Sequence, residues 1–223
     1  ANDDDSSDDD DATANDDDSG DDDDATANDD DSGDDDDATA NDDDSGDDDD
    51  DDDDGAPGLA TCSGADSLNN GDFELGTNYG WSEFSSLGAT VVTGFASVTP
   101  YSGSWLAELG EYSSEQSAVW QDVAIPSWIT YADMFYRYRI ETNESSIIAY
   151  DTGGLFIIDP ISGSTLSNPD AWNNGDQTNG FWLPRIIDLS AYSGQTVRIQ
   201  WQWDNDSSAT TQLLIDLVNL TCS

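Results

Sequence analysis

The side chains of this sequence with the most evident chemistry are carboxylates that recur at a fixed spacing. The 13-residue unit ANDDDSGDDDDAT occupies residues 14–26 and 27–39, a variant occupies 1–13, and a fourth copy from Ala40 runs into eight consecutive aspartates. Of the 51 acidic residues, 32 precede Gly55, and no Lys or Arg accompanies them there. Because closely spaced carboxylates repel one another and attract cations, we expect this segment to bind cations.

One register of the repeat matches the order of oxygen ligands in a calcium-binding loop. With Gly20 as the turn glycine, the oxygen-bearing side chains of Asn15, Asp17, Ser19 and Asp23 occupy the first, third, fifth and ninth ligand positions. The backbone carbonyl of Asp21 occupies the seventh. A bidentate acid would close such a loop, but Thr26 and Thr39 stand at that position, so the last ligand would come from the next repeat or from another chain. The predicted Ca²⁺ ligands are Asn15, Asp17, Ser19, Asp21, Asp23, Asn28, Asp30, Ser32, Asp34, Asp36, Asn41, Asp43, Ser45, Asp47 and Asp49.

These repeats resemble thrombospondin type 3 and related bacterial calcium repeats, which reuse units of similar length. The resemblance implies a Ca²⁺-organised segment that joins subunits or surfaces. Two other interpretations stay open, namely a flexible polyanion for solubility or salt tolerance, and a surface for nucleation or adhesion at a calcium mineral. In each case residues 1–54 have no apolar surface to bury, so we expect a non-globular tail.

Beyond the tail, the composition is that of one globular domain. The turn-rich residues 55–58 open a predicted linker, 55–61, between the tail at 1–54 and a head at 62–223. The head contains 19 acids and four arginines, which gives a formal charge of −15, so we expect no binding to nucleic acid. It also lacks an apolar run of the roughly 18–20 residues needed to span a bilayer.

Two cysteines, Cys62 and Cys222, lie at the two ends of the head. Paired, they would clasp the domain, and by the chain-entropy argument the closure of so long a loop contributes about 5 kcal/mol to stability. Two unpaired thiols are the alternative. A disulfide, together with a first residue that is Ala rather than Met, fits a secreted, extracellular chain whose export signal has been removed.

The head reads as a succession of short strands. Apolar or alternating runs are separated by Gly, Ser, Asn and Pro, and no stretch shows sustained helical periodicity. About eight strands with long connections predict an all-β fold, an antiparallel β-sandwich of jelly-roll type. The predicted strands are residues 90–97, 104–109, 118–125, 132–141, 154–159, 182–188, 196–204 and 212–220.

Two of these strands show which side chains share a face. In 196–204 the apolar residues alternate with Arg198 and glutamines, and in 132–141 Arg137 and Arg139 share a face with Phe135. The three arginines are therefore predicted on polar strand faces. They are either ordinary solvent-facing residues or a cationic patch that receives an acidic segment or a sugar.

Five segments of the head follow one another in order along the chain and span nearly all of residues 68–220. They are 70–76 (NGDFELG), 101–109 (YSGSWLAEL), 120–126 (WQDVAIP), 187–197 (IDLSAYSGQTV) and 214–220 (LIDLVNL). Together they resemble secreted bacterial jelly-roll modules of the galactose-binding-like and family-4-like carbohydrate-binding groups. The resemblance implies a β-sandwich that is often an accessory domain of an exported enzyme, and it says little about the ligand.

The resemblance also implies site residues. Such modules commonly hold a structural Ca²⁺, and by position Glu74 and Asp216 match its acidic ligands, with Asp151 as a further candidate. Here Leu217 follows Asp216, where the family often has a second acid. Sugar-binding members stack sugars on exposed aromatic rings, and the predicted stacking residues are Trp172 and Trp128, because most other tryptophans lie within strands.

Catalysis is the least favoured class, because the chain has no His or Lys, no Gly-x-Ser-x-Gly elbow and no phosphate-binding loop. The leading prediction is a secreted structural subunit of an extracellular filament, sheath or matrix, in which Ca²⁺ on the Asp repeats bridges copies of this chain. The alternative is a non-catalytic carbohydrate-binding module with an acidic spacer. The predicted partners are thus the chain itself, and otherwise glycans or a calcium mineral.

Overall fold

A computed structural model describes residues 60–62, 67–145 and 148–223 of the chain. The Asp-rich tail, with its predicted Ca²⁺ ligands from Asn15 to Asp49, lies outside the described residues, as do residues 55–59 of the predicted linker. The described ranges therefore belong to the head and to the last two residues of that linker.

Eleven β-strands and two single-turn 3₁₀ helices, Asn174–Asp176 and Ser190–Tyr192, make up the described part of the chain. No helix in this part is long and apolar enough to cross a membrane. The strands are β1 (Ala60–Thr61), β2 (Ser82–Ser85), β3 (Val92–Thr93), β4 (Leu106–Leu109), β5 (Gln116–Ala124), β6 (Ala132–Thr142), β7 (Thr152–Ile158), β8 (Thr165–Asn173), β9 (Leu183–Asp188), β10 (Thr196–Asp204) and β11 (Thr211–Cys222).

The strands form two sheets that pack face to face. The six-stranded sheet has the order β1-β5-β10-β7-β8, with β2 also paired to β5, and the five-stranded sheet has the order β3-β4-β11-β6-β9. Every pairing is antiparallel except that of β1 with β5. The predicted all-β antiparallel sandwich is confirmed, and each of the eight predicted strands overlaps an observed one.

The period-2 pattern of the strands places the core between the sheets. On β10, the residues from Val197 to Trp203 that alternate with Arg198 and the glutamines are completely buried. Large aromatic rings fill the centre: Trp201 lies 5.1 Å from Tyr136 of the facing sheet and 5.8 Å from Trp81, measured between ring centroids. Such tilted and edge-to-face contacts add stability beyond the area that they bury.

Two links tie the sheets together. Cys62, next to β1, forms a disulfide with Cys222 at the end of β11, across a sequence separation of 160 residues, which confirms the predicted pairing. At the opposite edge, the buried Asp170 of β8 accepts a hydrogen bond from the Tyr136 hydroxyl of β6 and pairs with Arg185 of β9. Burial, with the Asp170 carboxylate, raises the pKa of Tyr136 well above its usual value.

Three strands were not predicted from the sequence. Of these, β8 contains Ser167-Asn-Pro-Asp170, which has the composition of a turn, but it is an edge strand, where a proline is tolerated. A register shift next to Pro169 places two β8 residues opposite one of β7. The short β1 lies within the predicted linker 55–61, so the sandwich begins before Cys62.

Candidate functional site

The outward face of the five-stranded sheet is covered by residues 94–105, which we call the covering loop. On this face Leu106 and Leu214 are fully buried, although their neighbours along each strand point into the core. The loop accounts for this burial, because the Ser97 hydroxyl donates to Glu108 at 2.6 Å and the carbonyl of Thr99 accepts from the indole of Trp182 at 3.4 Å. The part of this face formed by β4 and β11 is therefore withdrawn from solvent, whereas Ile186 of β9 stays 64% exposed.

The covering loop is held by the two carboxylates that the family resemblance assigns to calcium. Asp216 accepts the backbone N–H of Ser102 at 2.9 Å, and Glu74 accepts those of Ser104 and Trp105 at 2.7 and 2.8 Å. Burial raises the pKa of Asp216 to about 6, against the opposing effect of the backbone donors. The structure thus brings Glu74 and Asp216 to one loop, where their oxygens already accept N–H groups. Ca²⁺ at this position stays a prediction.

Asp151, the third acid of that assignment, lies elsewhere. It is fully buried and accepts from the Thr211 hydroxyl at 2.6 Å and from the Asp206 N–H at 2.8 Å. Carboxylate oxygens of Glu144, Asp151 and Asp206 lie within 4.8 Å of one another. The three acids derived from the resemblance therefore do not form one site, because Asp151 lies beside the start of β11 and Asp216 lies in its middle.

The outward face of the six-stranded sheet, which we call the open face, has a different composition. The strand register aligns a row of four residues across four strands, and three of the four are Ala or Gly. The row consists of Ala118 on β5, Gln202 on β10, Gly154 on β7 and Ala171 on β8. A side chain at Gly154 could not be accommodated, since an added Cβ would lie 1.9 Å from the Asp170 carbonyl oxygen. The surface of the sheet is therefore depressed along this row, because three of its four residues have little or no side chain.

Aromatic side chains lie along one side of this row and at one of its ends. Phe84 of β2, which is 49% exposed, and Trp120 of β5 line a cavity of about 340 Å³. Phe156 of β7 lines a neighbouring cavity of about 360 Å³, which the edge strand β8 borders with Asn168 and Ala171. Gln202 lines both cavities, so together they form a groove that runs across the strands.

The polar groups of the groove are mainly amides and the carboxylate of Asp204, and one ion pair lies beside the groove on the same face. Gln116 donates to Asp204 at 3.1 Å, and Gln200 donates to Gln202 at 3.3 Å. Arg198 makes two hydrogen bonds to Asp122, at 2.7 and 3.1 Å, and its guanidinium lies 5.3 Å from the centroid of a Trp120 ring. Amides that both donate and accept, beside apolar ring faces, suit a neutral ligand rich in hydroxyl groups.

The predicted arginines and tryptophans have separate positions. Arg137 and Arg139 lie on β6 of the five-stranded sheet and Arg198 lies on β10 of the other, so the three do not form a single cationic patch. Trp172 borders the second cavity, but its cross-strand partner is Gly153 and its ring stacks on Tyr138 of the facing sheet, with ring centroids 4.7 Å apart. The ring therefore packs against the core between the sheets. Trp128, which is 67% exposed, is not among the residues that line either cavity of the groove.

Sequence reasoning missed most of the groove. Phe84 belongs to β2, a strand that was not predicted, and Trp120 was expected in the core. A signal for Trp120 was present, because it shares its face with Asp122 two residues later, whereas Val119 and Val123 point inward.

Comparison with known proteins identifies solved structures that share the fold of the head. No protein-family model and no curated protein matches the sequence. Among solved structures, TmCBM61 in complex with beta-1,4-galactotriose has a TM-score of 0.51 at 17% identity, over 71% of this chain and 99% of its own. Carbohydrate-binding modules of promiscuous specificity from the β-sandwich superfamily align at 16% identity over 71% of this chain and 62% of theirs, with a TM-score of 0.45. The CBM22-1 xylan-binding domain of Paenibacillus barcinonensis Xyn10C aligns at 16% identity over 72% and 96%, with a TM-score of 0.44. The head thus has the β-sandwich fold seen in carbohydrate-binding modules.

Proposed function

We propose that this chain is a non-catalytic carbohydrate-binding protein that acts outside the cell and holds its glycan in the groove of the open face. The observation that carries the proposal is the contrast between the two outward faces. The covering loop occupies the part of one face formed by β4 and β11, whereas the other face presents a groove lined by Phe84, Trp120 and Phe156. The groove on the six-stranded sheet is therefore the site that we assign to the glycan.

The chemistry of the groove fits a sugar. Pyranose rings present apolar C–H faces to aromatic rings, and their hydroxyl groups exchange hydrogen bonds with side-chain amides. Gln116, Gln200 and Gln202 supply such amides along the groove. The charged group that lines the groove is the Asp204 carboxylate, which disfavours an anionic ligand, and the nearby Arg198–Asp122 pair is internally neutral. We therefore expect a neutral glycan in this groove.

The fold comparison supports the class of ligand without naming the sugar. TmCBM61 shares the sandwich and was solved with beta-1,4-galactotriose. At 17% identity the sugar of that protein does not transfer to this chain.

The filament hypothesis depends on the Asp repeats, which lie outside the described residues, and it stays a prediction. In that view Ca²⁺ on residues 15–49 would bridge copies of the chain. Glycan binding by the head is compatible with either role of the tail, as a spacer or as a calcium-bound contact.

A glycan array followed by affinity electrophoresis tests the proposal. We expect neutral oligosaccharides to bind, and we expect Trp120→Ala and Phe84→Ala each to weaken binding at least tenfold because each removes one wall of the groove. Trp128→Ala is the matched control, since it deletes an exposed tryptophan outside the groove. Circular dichroism should show that all three variants are folded. Loss of binding in Trp128→Ala alone would place the sugar elsewhere, and no binding to any glycan would reject the function.

A further inference from the structure

Arg137 is distinguished from the other three arginines by its missing partner. Within the described residues, Arg139 pairs with Glu141, Arg185 with Asp170 and Arg198 with Asp122, but Arg137 has no ion pair and no hydrogen bond. Its Nε is buried without an acceptor. In a head with 19 acids, a guanidinium left without a carboxylate is unexpected, because arginine forms bidentate pairs readily.

The surroundings of Arg137 are aromatic. Its guanidinium carbon lies 4.5 Å from the ring centroid of Tyr101 and 5.2 Å from that of Phe135. The ring of Trp182 meets Tyr101 edge-on, with centroids 6.3 Å apart. Tyr101 is 44% exposed, so this cluster reaches solvent at the side of the covering loop. Aromatic rings around a cation hold its orientation while they leave its N–H donors unused.

The nearest acid in the strand register does not neutralise Arg137. Asp216 of β11 is its direct cross-strand neighbour, yet the carboxylate oxygens of Asp216 accept the N–H groups of Ser102 and Leu217. On the other side, the neighbour in β9 is Pro184, which has no polar side chain. The terminal N–H donors of Arg137 are therefore free to meet an acceptor from outside the head, whereas its Nε is buried.

We propose that Arg137, Tyr101 and Trp182 form a second carbohydrate site, which takes a sugar bearing a carboxylate, that is, a uronate. This inference rests on the proposed function and concerns the other sheet. The guanidinium would pair with the carboxylate, and the exposed ring of Tyr101 would stack on the sugar. The groove of the open face takes a neutral stretch of glycan. The protein would therefore bind a neutral segment and a uronate, either in one acidic polysaccharide or in two different polysaccharides.

An Asp-rich segment is the competing ligand, and the geometry disfavours it. An aspartate carboxylate brings no ring to stack on Tyr101 or Trp182. The repeats of this chain concentrate 32 aspartates in a segment that a head of charge −15 repels. A uronate on an oligosaccharide brings one carboxylate together with a stacking face, which matches both parts of the cluster.

Calorimetric titration at about 0.15 M salt, where charges further apart than about 8 Å are largely screened, tests the site. The probes are trimers of galacturonate, glucuronate and mannuronate, each compared with its methyl ester, which keeps the shape and removes the charge. We expect at least one trimer to bind, and its ester to bind at least tenfold more weakly. Arg137→Gln should abolish this preference, while Arg139→Gln, which removes an arginine already paired with Glu141, should change the affinity less than twofold.

Several results would overturn the site. They are equal binding of acid and ester, no binding of any uronate trimer, equal effects of Arg137→Gln and Arg139→Gln, or Arg137-dependent binding of the peptide ANDDDSGDDDDAT in place of the sugars. The neutral-glycan groove is separable, because Trp120→Ala should leave uronate binding intact and Arg137→Gln should leave neutral-glycan binding intact. If uronate binding fails, the neutral-glycan groove can still be correct, and if neutral-glycan binding fails, the uronate site can still be correct.

Discussion

The two outward faces of this sandwich arise from the same alternation of side chains, yet one is covered and the other is open. The five-stranded sheet turns Leu106, Leu214 and Asp216 outward, and each is fully buried. The six-stranded sheet turns Gln200, Gln202 and Trp120 outward, and these stay at least partly exposed. Outward leucines require a cover because their exposure to water is unfavourable, whereas glutamines do not. The identity of a few outward residues therefore decides which face is free to bind.

The largest expected effect comes from removal of the covalent link between the two sheets. Replacing Cys62 and Cys222 by Ser should lower the free energy of unfolding by up to about 5 kcal/mol, because the unfolded chain regains the freedom of a 160-residue loop. Urea unfolding measures the loss, and reduction of the wild-type disulfide should reproduce it. A change below about 1 kcal/mol would show that the disulfide does not constrain the unfolded chain.

The next effect concerns the cover itself. Asp216→Ala removes the hydrogen bonds that the N–H groups of Ser102 and Leu217 donate to a carboxylate, and a hydrogen bond to a charged group contributes about 1.5–3 kcal/mol. We expect the unfolding free energy to fall by about 2–4 kcal/mol and limited proteolysis to cut within residues 94–105. Neutral-glycan binding on the open face should persist at the wild-type affinity. Glu111→Gln, at an exposed acid outside the covering loop, is the control, and equal proteolysis of both variants would contradict the role of Asp216.

A smaller effect of the same residue depends on pH. Because the folded-state pKa of Asp216 is about 6 and the ordinary value is 3.8, the folded protein binds the proton more tightly. The stability that Asp216 contributes is therefore present below about pH 3.8 and is lost as the pH rises towards 6, by on the order of 2–3 kcal/mol. The difference in unfolding free energy between wild type and Asp216→Asn, measured from pH 4 to 7, isolates this contribution.

Calcium would reverse that trend if the resemblance-based assignment to Glu74 and Asp216 is correct. Ca²⁺ binds the ionised carboxylate, so saturating Ca²⁺ should raise the melting temperature of wild type most at pH 7 and raise that of Asp216→Asn less. An identical response of both proteins would remove these residues as calcium ligands. A response that disappears in Asp151→Asn instead would move the ion to the acids beside Asp206.

The smallest expected effect lies on the open face. Arg198→Gln removes a partly exposed ion pair with Asp122, which contributes about 0.2–1 kcal/mol. Because the guanidinium also lies against Trp120, we expect neutral-glycan affinity to drop about twofold to fivefold as that ring becomes less fixed. A loss as large as that of Trp120→Ala would mean that Arg198 contacts the sugar directly.

The sequence predicted the features that repeat along a strand. Strict alternation on β10 predicted its buried and exposed faces, and the two cysteines at the ends of the head predicted the disulfide. It did not predict β8, because Pro169 and Asn168 are typical of turns and only the position of the strand at the edge of the sheet makes them acceptable.

The sites depend on which strands become neighbours, and that information is absent from local patterns. Nothing near Gln202 in the sequence indicates that Ala118 and Gly154 lie beside it. In the same way, Arg137 read as one of three similar strand-face arginines. Only the tertiary structure shows that its cross-strand acid is already occupied by the covering loop.

The strands that end the two sheets next to the Tyr136–Asp170–Arg185 link each contain a proline, Pro169 in β8 and Pro184 in β9. A proline offers no N–H to an incoming strand, and the irregular register of β8 disrupts the row of donors further. This side of the head is therefore a poor template for strand addition between molecules. If copies of this chain do assemble, β-pairing through β8 or β9 is not the expected route, and such a polymer would not grow like an amyloid fibre at these strands.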